Sequence, residues 1–501
     1  MSTATSIISS GSDKLDAWTR RSQPKIEIHL AGQKPGHVNS YTTGESIDGS
    51  ITVTVDHETR FDEIEIAFEG VSRTTVERAS CPGRTGSQQM FLKLRQPIDE
   101  MEYPTPRVLE SGRSYEYPFT FVVPDCLLPQ VCTHAKKNAH IQRSHTMLPP
   151  TLGDPILASN GKTLLDDMAP SMSQIAYTVR ASVLQKQLTG HGFVAIAAIA
   201  KKVRIIPTVE EEPPVEISGS PSLCTRKEKS VKRGTLRGKL GRIVASSSQP
   251  KPIQLLPLAG EPTDTVSTVA TVNLRFDPVG DEQPPPLGTM TSKLRANTFF
   301  SAAPWEDFPS TTGMPFAHIG CGLYTESVPL MTMCVASAQW TKQSSAADSM
   351  RRDSTDSSSS SNSSTGPSSA FSGDTYYTAS VVVPVTLPKS KAFVPTFHSC
   401  LMSRVYALDL CLTYHTPAAN LMTPTISLRL PVQFTSQAKC AEPIKTTLGV
   451  TVTQQELEEF FHPRNVTSPT DFSTHTRSDV VDVGLAPPEY SERLSAVRAS
   501  R

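Results

Sequence analysis

Two groups of residues in this sequence carry types and spacings that can do chemistry. Cys126, Cys132, His134, His140 and His145 follow one another as Cys-x5-Cys-x-His-x5-His-x4-His. Thiolate sulfur and imidazole nitrogen are the donors that zinc takes. The spacing matches no standard zinc module, and the stretch leads into Leu-Pro-Pro-Thr-Leu-Gly-Asp at 148–154. The reading favoured here is therefore structural, with partly buried cysteines and loop histidines; no metal ligand and no cofactor is assigned. The second group is Ala486-Pro487-Pro488-Glu489-Tyr490-Ser491. Pro-Pro-x-Tyr favours a polyproline II conformation, so little ordering entropy remains to be lost on binding. The prolines dock on the aromatic groove of a WW domain while the tyrosine fills a neighbouring pocket. Pro487, Pro488 and Tyr490 are the candidate binding residues.

Two weaker signals lie between these. Arg351-Arg352-Asp353-Ser354 opens a serine run, and two arginines just before a serine suit a basophilic kinase. Ser354 is the candidate phosphorylation site, against the plain alternative of a spacer with incidental charges. The stretch from Arg226 to Arg242 holds eight cations and one acid. Anionic lipid headgroups or an acidic receptor tail would suit it, but a solvated strand exterior explains it equally and is preferred. No GxSxG, HExxH or GxxxxGK[ST] occurs, and no carboxylate pair stands apart from strand exteriors, so no catalytic residue is assigned.

The elements that must position these residues read as strands. Lys25 to Leu30, Ser50 to Val55 and Arg60 to Glu69 alternate polar and apolar, placing Ile64, Ile66 and Phe68 on one face. Gly70 would end or bulge that strand. Met90–Leu94, Tyr115–Val123, Ile175–Leu184 and Val203–Ile206 continue the pattern. The acidic, proline-bearing Thr208–Gly219 reads as a linker. Strand signals resume at Thr235–Val244, Thr268–Phe276 and Ser292–Phe300. A serine-rich insertion at Gln343–Gly373 has no periodicity, and Tyr377–Val385, Ser399–Tyr414 and Thr425–Phe434 follow it. One short helix is expected at Gln454–Phe461. The expectation is an all-β chain of two tandem immunoglobulin-like sandwiches, 23–207 and 220–436, with a disordered segment at 1–22 and a mostly disordered tail from 437 to 501.

Bulk properties agree with that plan. A chain of 501 residues suits two or three domains. With 37% hydrophobic residues and 41 prolines, part of it must lie outside any core. Equal numbers of cations and acids, 48 each, argue against bulk electrostatic nucleic-acid binding. The N-terminus has no basic segment followed by an apolar run, and no stretch reaches the ~18 apolar residues of a membrane span. The nine cysteines contain no CxxC and make no disulfide framework. The expected compartment is the cytosol, and the sequons at Asn362 and Asn465 would go unused.

The order of several strings goes beyond a generic sandwich. YTTGESIDGSITV (Tyr41–Val53), ETRFDEIEIAFEGVSRTTVER (Glu58–Arg78), YPFTFVVPDCLLPQVCTH (Tyr117–His134), LPPTLGD and GKTLLDDMAP (Gly161–Pro170) resemble successive segments of the arrestin N-domain in fungal arrestin-like proteins. FVPTFHSCLMSRVYALDLCLTY (Phe393–Tyr414) with TISLRLPVQF (Thr425–Phe434) is similar to the closing strands of the arrestin C-domain. The resemblance covers roughly Lys25 to Phe434 and departs at the insertion. The phosphate-sensing basic residues of receptor arrestins have no matched positions. What the resemblance implies is two sandwiches meeting at a polar interface, and a cytoplasmic adaptor drawn to plasma membrane or endosomes. Its PPxY tail would recruit a WW-domain HECT-type ubiquitin ligase to the cytoplasmic tails of membrane transporters or receptors. The rival expectations are a signalling or trafficking scaffold of the same fold and an enzyme with an unrecognised site.

Overall fold

The computed structural model describes residues 23–437 apart from Pro35 and the segments 78–83, 159–163, 188–191, 214–222, 234–237, 256–265, 311–319, 345–364 and 417–422. Among the described residues it is nearly all β. The first half contributes β1 (Lys25–Leu30), β2 (Ser40–Tyr41), β3 (Ser46–Thr54), β4 (Thr59–Arg60), β5 (Glu63–Glu77), β6 (Arg84–Gln96), β7 (Val108–Leu109), β8 (Ser114–Val122), β9 (Ser173–Lys186) and β10 (Phe193–Ile205). A single α-helix is described, α1 (Ala139–Thr146). The second half contributes β11 (Arg226–Lys232), β12 (Lys239–Ser246), β13 (Ile253–Leu255), β14 (Ser267–Pro278), β15 (Leu287–Ser301) and β16 (Cys321–Cys334). It closes with β17 (Thr341–Ser344), β18 (Thr375–Thr386), β19 (Phe397–His398), β20 (Met402–Tyr414), β21 (Thr425–Val432) and β22 (Phe434–Ser436).

The alternation written into each strand decides which face is buried. In β1, Ile26, Ile28 and Leu30 point inward while Lys25, Glu27 and His29 meet solvent. Strands β1, β3 and β8 form one sheet, and β2, β10, β9, β5 and β6 another. Their inner faces supply one apolar core that includes Ile51, Phe68, Phe121, Tyr177 and Val179. In the second half, β11-β12-β14-β18-β17 and β16-β15-β20-β19, with β21 on β20, make two more sheets. Phe276, Leu294, Val383, Leu408 and Phe434 belong to their shared core. Pairing is antiparallel except for the short β2–β10 and β13–β22 pairs.

At Gly70 the chain does not end. Strand β5 runs on to Glu77, with a register shift against β6 between Gly70 and Val71. A Cβ at Gly70 would lie 2.5 Å from the Phe91 ring and 3.0 Å from Tyr177, two rings that meet edge-on. Glycine thus lets the ring pair close over the strand.

The structure narrows the insertion expected at 343–373. Gln343 and Ser344 belong to β17 and pair with Tyr376 and Thr375 of β18. At the other end Thr365 and Ser368 are buried, and the Ser368 amide donates to Asp277 Oδ2 at 2.7 Å. Polar composition hid both ends because the partners are backbone groups and a buried carboxylate. The start of the expected linker is also held: Val209 bridges Ser436, and the Glu212 amide donates to Gln433 Oε1 at 3.0 Å. Residues 1–22, the helix expected at Gln454–Phe461 and the tail from 438 lie outside the described residues.

Candidate functional site

The two cores are joined by a polar seam around Asp166-Asp167-Met168. The Asp166 carboxylate accepts from the Met168 amide at 2.8 Å, a local turn that holds Met168 at φ 58°. That left-handed conformation is unfavourable for a residue with a side chain, so its surroundings must hold it there. They do: Met168 is fully buried in the second core, although its chain neighbours belong to the first half. Arg404 of β20, also fully buried, donates Nη1 to Asp167 O and Nη2 to Met168 O, both at 3.0 Å, and Nε to Thr298 Oγ1 at 2.9 Å. Burial pushes the Asp167 carboxyl above its ordinary range, against the pull of the Gly153 and Ala169 amides and the nearby Arg404 guanidinium. At the edge of the seam Lys391 bridges Asp166 and Glu326, each at 2.6 Å. Those two carboxylates hold the Lys391 ammonium up at about 12.

Beside this seam lies the cysteine–histidine group. Leu-Pro-Gln-Val makes a 3-10 turn over Pro129–Val131 that ends on Cys132. Asn138 then caps α1, its Oδ1 accepting from the Ile141 amide at 3.1 Å. With that start, Ile141 and His145, four residues apart, share the buried face of the helix. The loop between brings His134 back over Cys132. Cys132 Sγ lies 3.2 Å from His134 Nε2 and 3.7 Å from His145 Nδ1, and the two ring nitrogens are 3.4 Å apart.

The fourth member comes from the second half. Cys400 sits in the turn between β19 and β20, its carbonyl accepting from the Trp305 amide at 2.9 Å. All four donor atoms lie within 4.8 Å of one another. Cys132, His145 and Cys400 are at most 3% exposed. Burial, helped by the neighbouring His134, lowers His145 to about 4. Burial and the adjacent Cys132 push the Cys400 thiol up to about 12. His134 keeps its inward nitrogen free by placing Nδ1 2.9 Å from the Ala135 carbonyl. Lys136 Nζ donates to the carbonyls of Cys132 and His134 at 2.6 and 2.9 Å.

Of the five residues that the spacing picked out, three converge. Cys126 is exposed and forms a backbone bridge with Met147, and His140 is exposed on α1. Cys400, which completes the group, is far along the sequence and stands in no local pattern with the others.

The basic stretch forms β11 and β12. Several of its cations are already engaged: Arg226 with Glu228 at 2.9 Å and the Pro367 carbonyl at 2.8 Å, Lys229 with the Thr425 carbonyl, and Arg233 with Glu282. Arg242 donates to Ser369 Oγ at 2.9 Å. The exit of the serine run, residues 366–369, therefore rests on this strand pair. Ser354, Pro487, Pro488 and Tyr490 lie outside the described residues.

No protein-family model matches the chain, and no curated protein matches it.

Proposed function

We propose that this chain is an arrestin-type adaptor of two tandem sandwich domains. It would link a membrane cargo, a transporter or receptor, to a WW-domain HECT-type ubiquitin ligase and so promote ubiquitination and endocytosis of that cargo. The observation that carries the reading is Pro487-Pro488-Glu489-Tyr490, placed behind an all-β body with two cores joined by a polar seam. Catalysis belongs to the ligase; the adaptor supplies proximity and a raised effective concentration.

The test is a pull-down of the full chain with isolated WW domains, run beside cargo turnover in cells. A short extended motif buries little area, so one WW contact is expected near the micromolar range, about −8 kcal/mol. Tyr490→Ala removes the ring that fills its pocket and should abolish ligase binding and cargo clearance. Glu489→Ala should change neither, because the x position faces solvent in this binding mode. Wild-type binding and clearance by Tyr490→Ala would sink the adaptor reading and leave the scaffold reading in its place.

Regulation through the serine run is part of the same reading. Phosphate at Ser354 or its serine neighbours adds about −1.5 to −2 charges near neutral pH. Arg226 and Arg242 stand at the exit of that run, shared with Glu228, so a phosphate has cations to compete for. Phosphosite mapping of the native protein under several growth conditions is expected to find modification there. An unmodified run under every condition would make it a passive spacer.

A further inference from the structure

We propose that Cys132, His134, His145 and Cys400 bind one zinc ion, and that this ion is a structural clasp between the two halves of the chain. The donor set is two sulfurs and two imidazole nitrogens, which in tetrahedral array selects zinc among common metals. The geometry needs only shifts of a few tenths of an ångström among the first three donors. Zn–S bonds of about 2.3 Å and Zn–N bonds of about 2.0–2.1 Å at tetrahedral angles require donor–donor edges of about 3.3–3.8 Å. The three edges in the structure are 3.2 Å (Cys132–His134), 3.4 Å (His134–His145) and 3.7 Å (Cys132–His145), so the first must open slightly and the other two already fit. The Cys400 sulfur lies within 4.8 Å of every other donor.

The surroundings match a closed site. Four protein donors leave no position for water or substrate, and three of the four residues are almost wholly buried, so the ion would be structural rather than catalytic. His134 is oriented from outside, its Nδ1 facing the Ala135 carbonyl at 2.9 Å. Binding deprotonates both thiols: two S–H bonds are replaced by two S–Zn bonds, two protons pass to solvent, and Zn2+ with two thiolates is neutral overall. Without an ion, two thiols and two imidazoles meet in a buried space where the polar contacts are chiefly with one another.

What the ion would do follows from the origin of its ligands. Three come from the loop and helix 132–146 of the first half, and Cys400 comes from the turn before β20, four residues ahead of Arg404. The clasp therefore adds to the seam that Arg404 stitches, and losing it would loosen segment 132–146, leaving Lys137 to hold it to Glu306 and Asp307.

The full chain, purified under reducing conditions without chelator or affinity metal, is expected to carry one zinc ion per molecule by elemental analysis. After chelation it should take up one Co2+ with the intense visible bands and sulfur charge transfer of a tetrahedral thiolate site. Cys400→Ser should lose the stoichiometric metal and the sulfur charge-transfer band. Cys126→Ser and His140→Gln, which lie outside the cluster, should keep both. Chelated wild type should be cut faster than the zinc-loaded form within 132–146, a readout that does not depend on any variant folding. The proposal is overturned by metal-free wild type that takes up no cobalt, by Cys400→Ser with full zinc, or by a Cys132–Cys400 disulfide in the purified chain. None of these outcomes bears on WW binding, so the clasp and the adaptor reading fail separately.

Discussion

Arg404→Met is expected to destabilise the chain by about 3–5 kcal/mol, since each buried acceptor left without its charged donor costs about 1–3 kcal/mol. The guanidinium serves three acceptors at once: Asp167 O, Met168 O and Thr298 Oγ1. Methionine fills much of the volume but leaves the two buried carbonyls without their donor. Arg404→Lys keeps a charge but offers a point donor where a planar fork reached two carbonyls, so it should recover only part of the loss. Urea titration followed by two probes checks this. The midpoint should fall sharply for methionine and less for lysine, and the methionine variant should separate the two probes, because the seam couples two cores. Unchanged midpoints would mean that the seam is incidental to stability.

A comparable loss is expected for Arg275→Met, for a different reason. Arg275 and Asp277 form an ion pair at 2.7 Å with both side chains at most 7% exposed. The guanidinium also lies over the Tyr376 and Phe371 rings, 3.7 and 4.8 Å from their centroids. Removing the arginine alone strands a buried carboxylate whose remaining donor is the Ser368 amide, at a cost of about 3–5 kcal/mol. Replacing both partners, Arg275→Met with Asp277→Leu, should be much milder, since the desolvation of both charges disappears together. Stability from chemical denaturation gives the three values. A single variant as mild as the double would show that the carboxylate is solvated or protonated at no cost. Limited proteolysis adds a local readout, because Ser368 and Phe371 belong to the exit of the serine run and should become cleavable first.

Strand positions were legible wherever one face meets water. The alternation in Lys25–Leu30 and Glu63–Ile66 appears in the burial of those same residues, but from Ala67 to Gly70 strand β5 is buried on both faces, the expected outward Glu69 included. Strand β16, CGLYTESVPLMTMC, went unseen because it lies at a sheet edge and all of it but Val328 is half-buried or exposed on both faces, so burial imposes no period on it. Helix α1, AHIQRSHT, is two turns of mostly polar residues; its only sequence mark is the capping Asn138. For the cysteine–histidine group, local spacing exposed Cys132, His134 and His145 but set them beside Cys126 and His140. Spacing rules describe donors that share a loop. A ligand delivered by a strand turn of the other half, Cys400, has no such signature, and topology alone brings it in.

The last described strand has a mechanical meaning. Its three residues, Phe434–Ser436, pair in parallel with β13, bridge Val209, and place the Ser436 hydroxyl on the Pro207 carbonyl, while Phe434 and Thr396 exchange backbone and side-chain hydrogen bonds. The chain continues from here toward Tyr490. Tension applied to the chain at Ser436 would therefore load a three-residue seal that also fastens the crossover between halves. Peeling it would break the bonds to Pro207 and Val209 at the same moment, leaving the crossover held by Thr208 on Thr43, so a tug on the last strand would be felt at the middle of the chain.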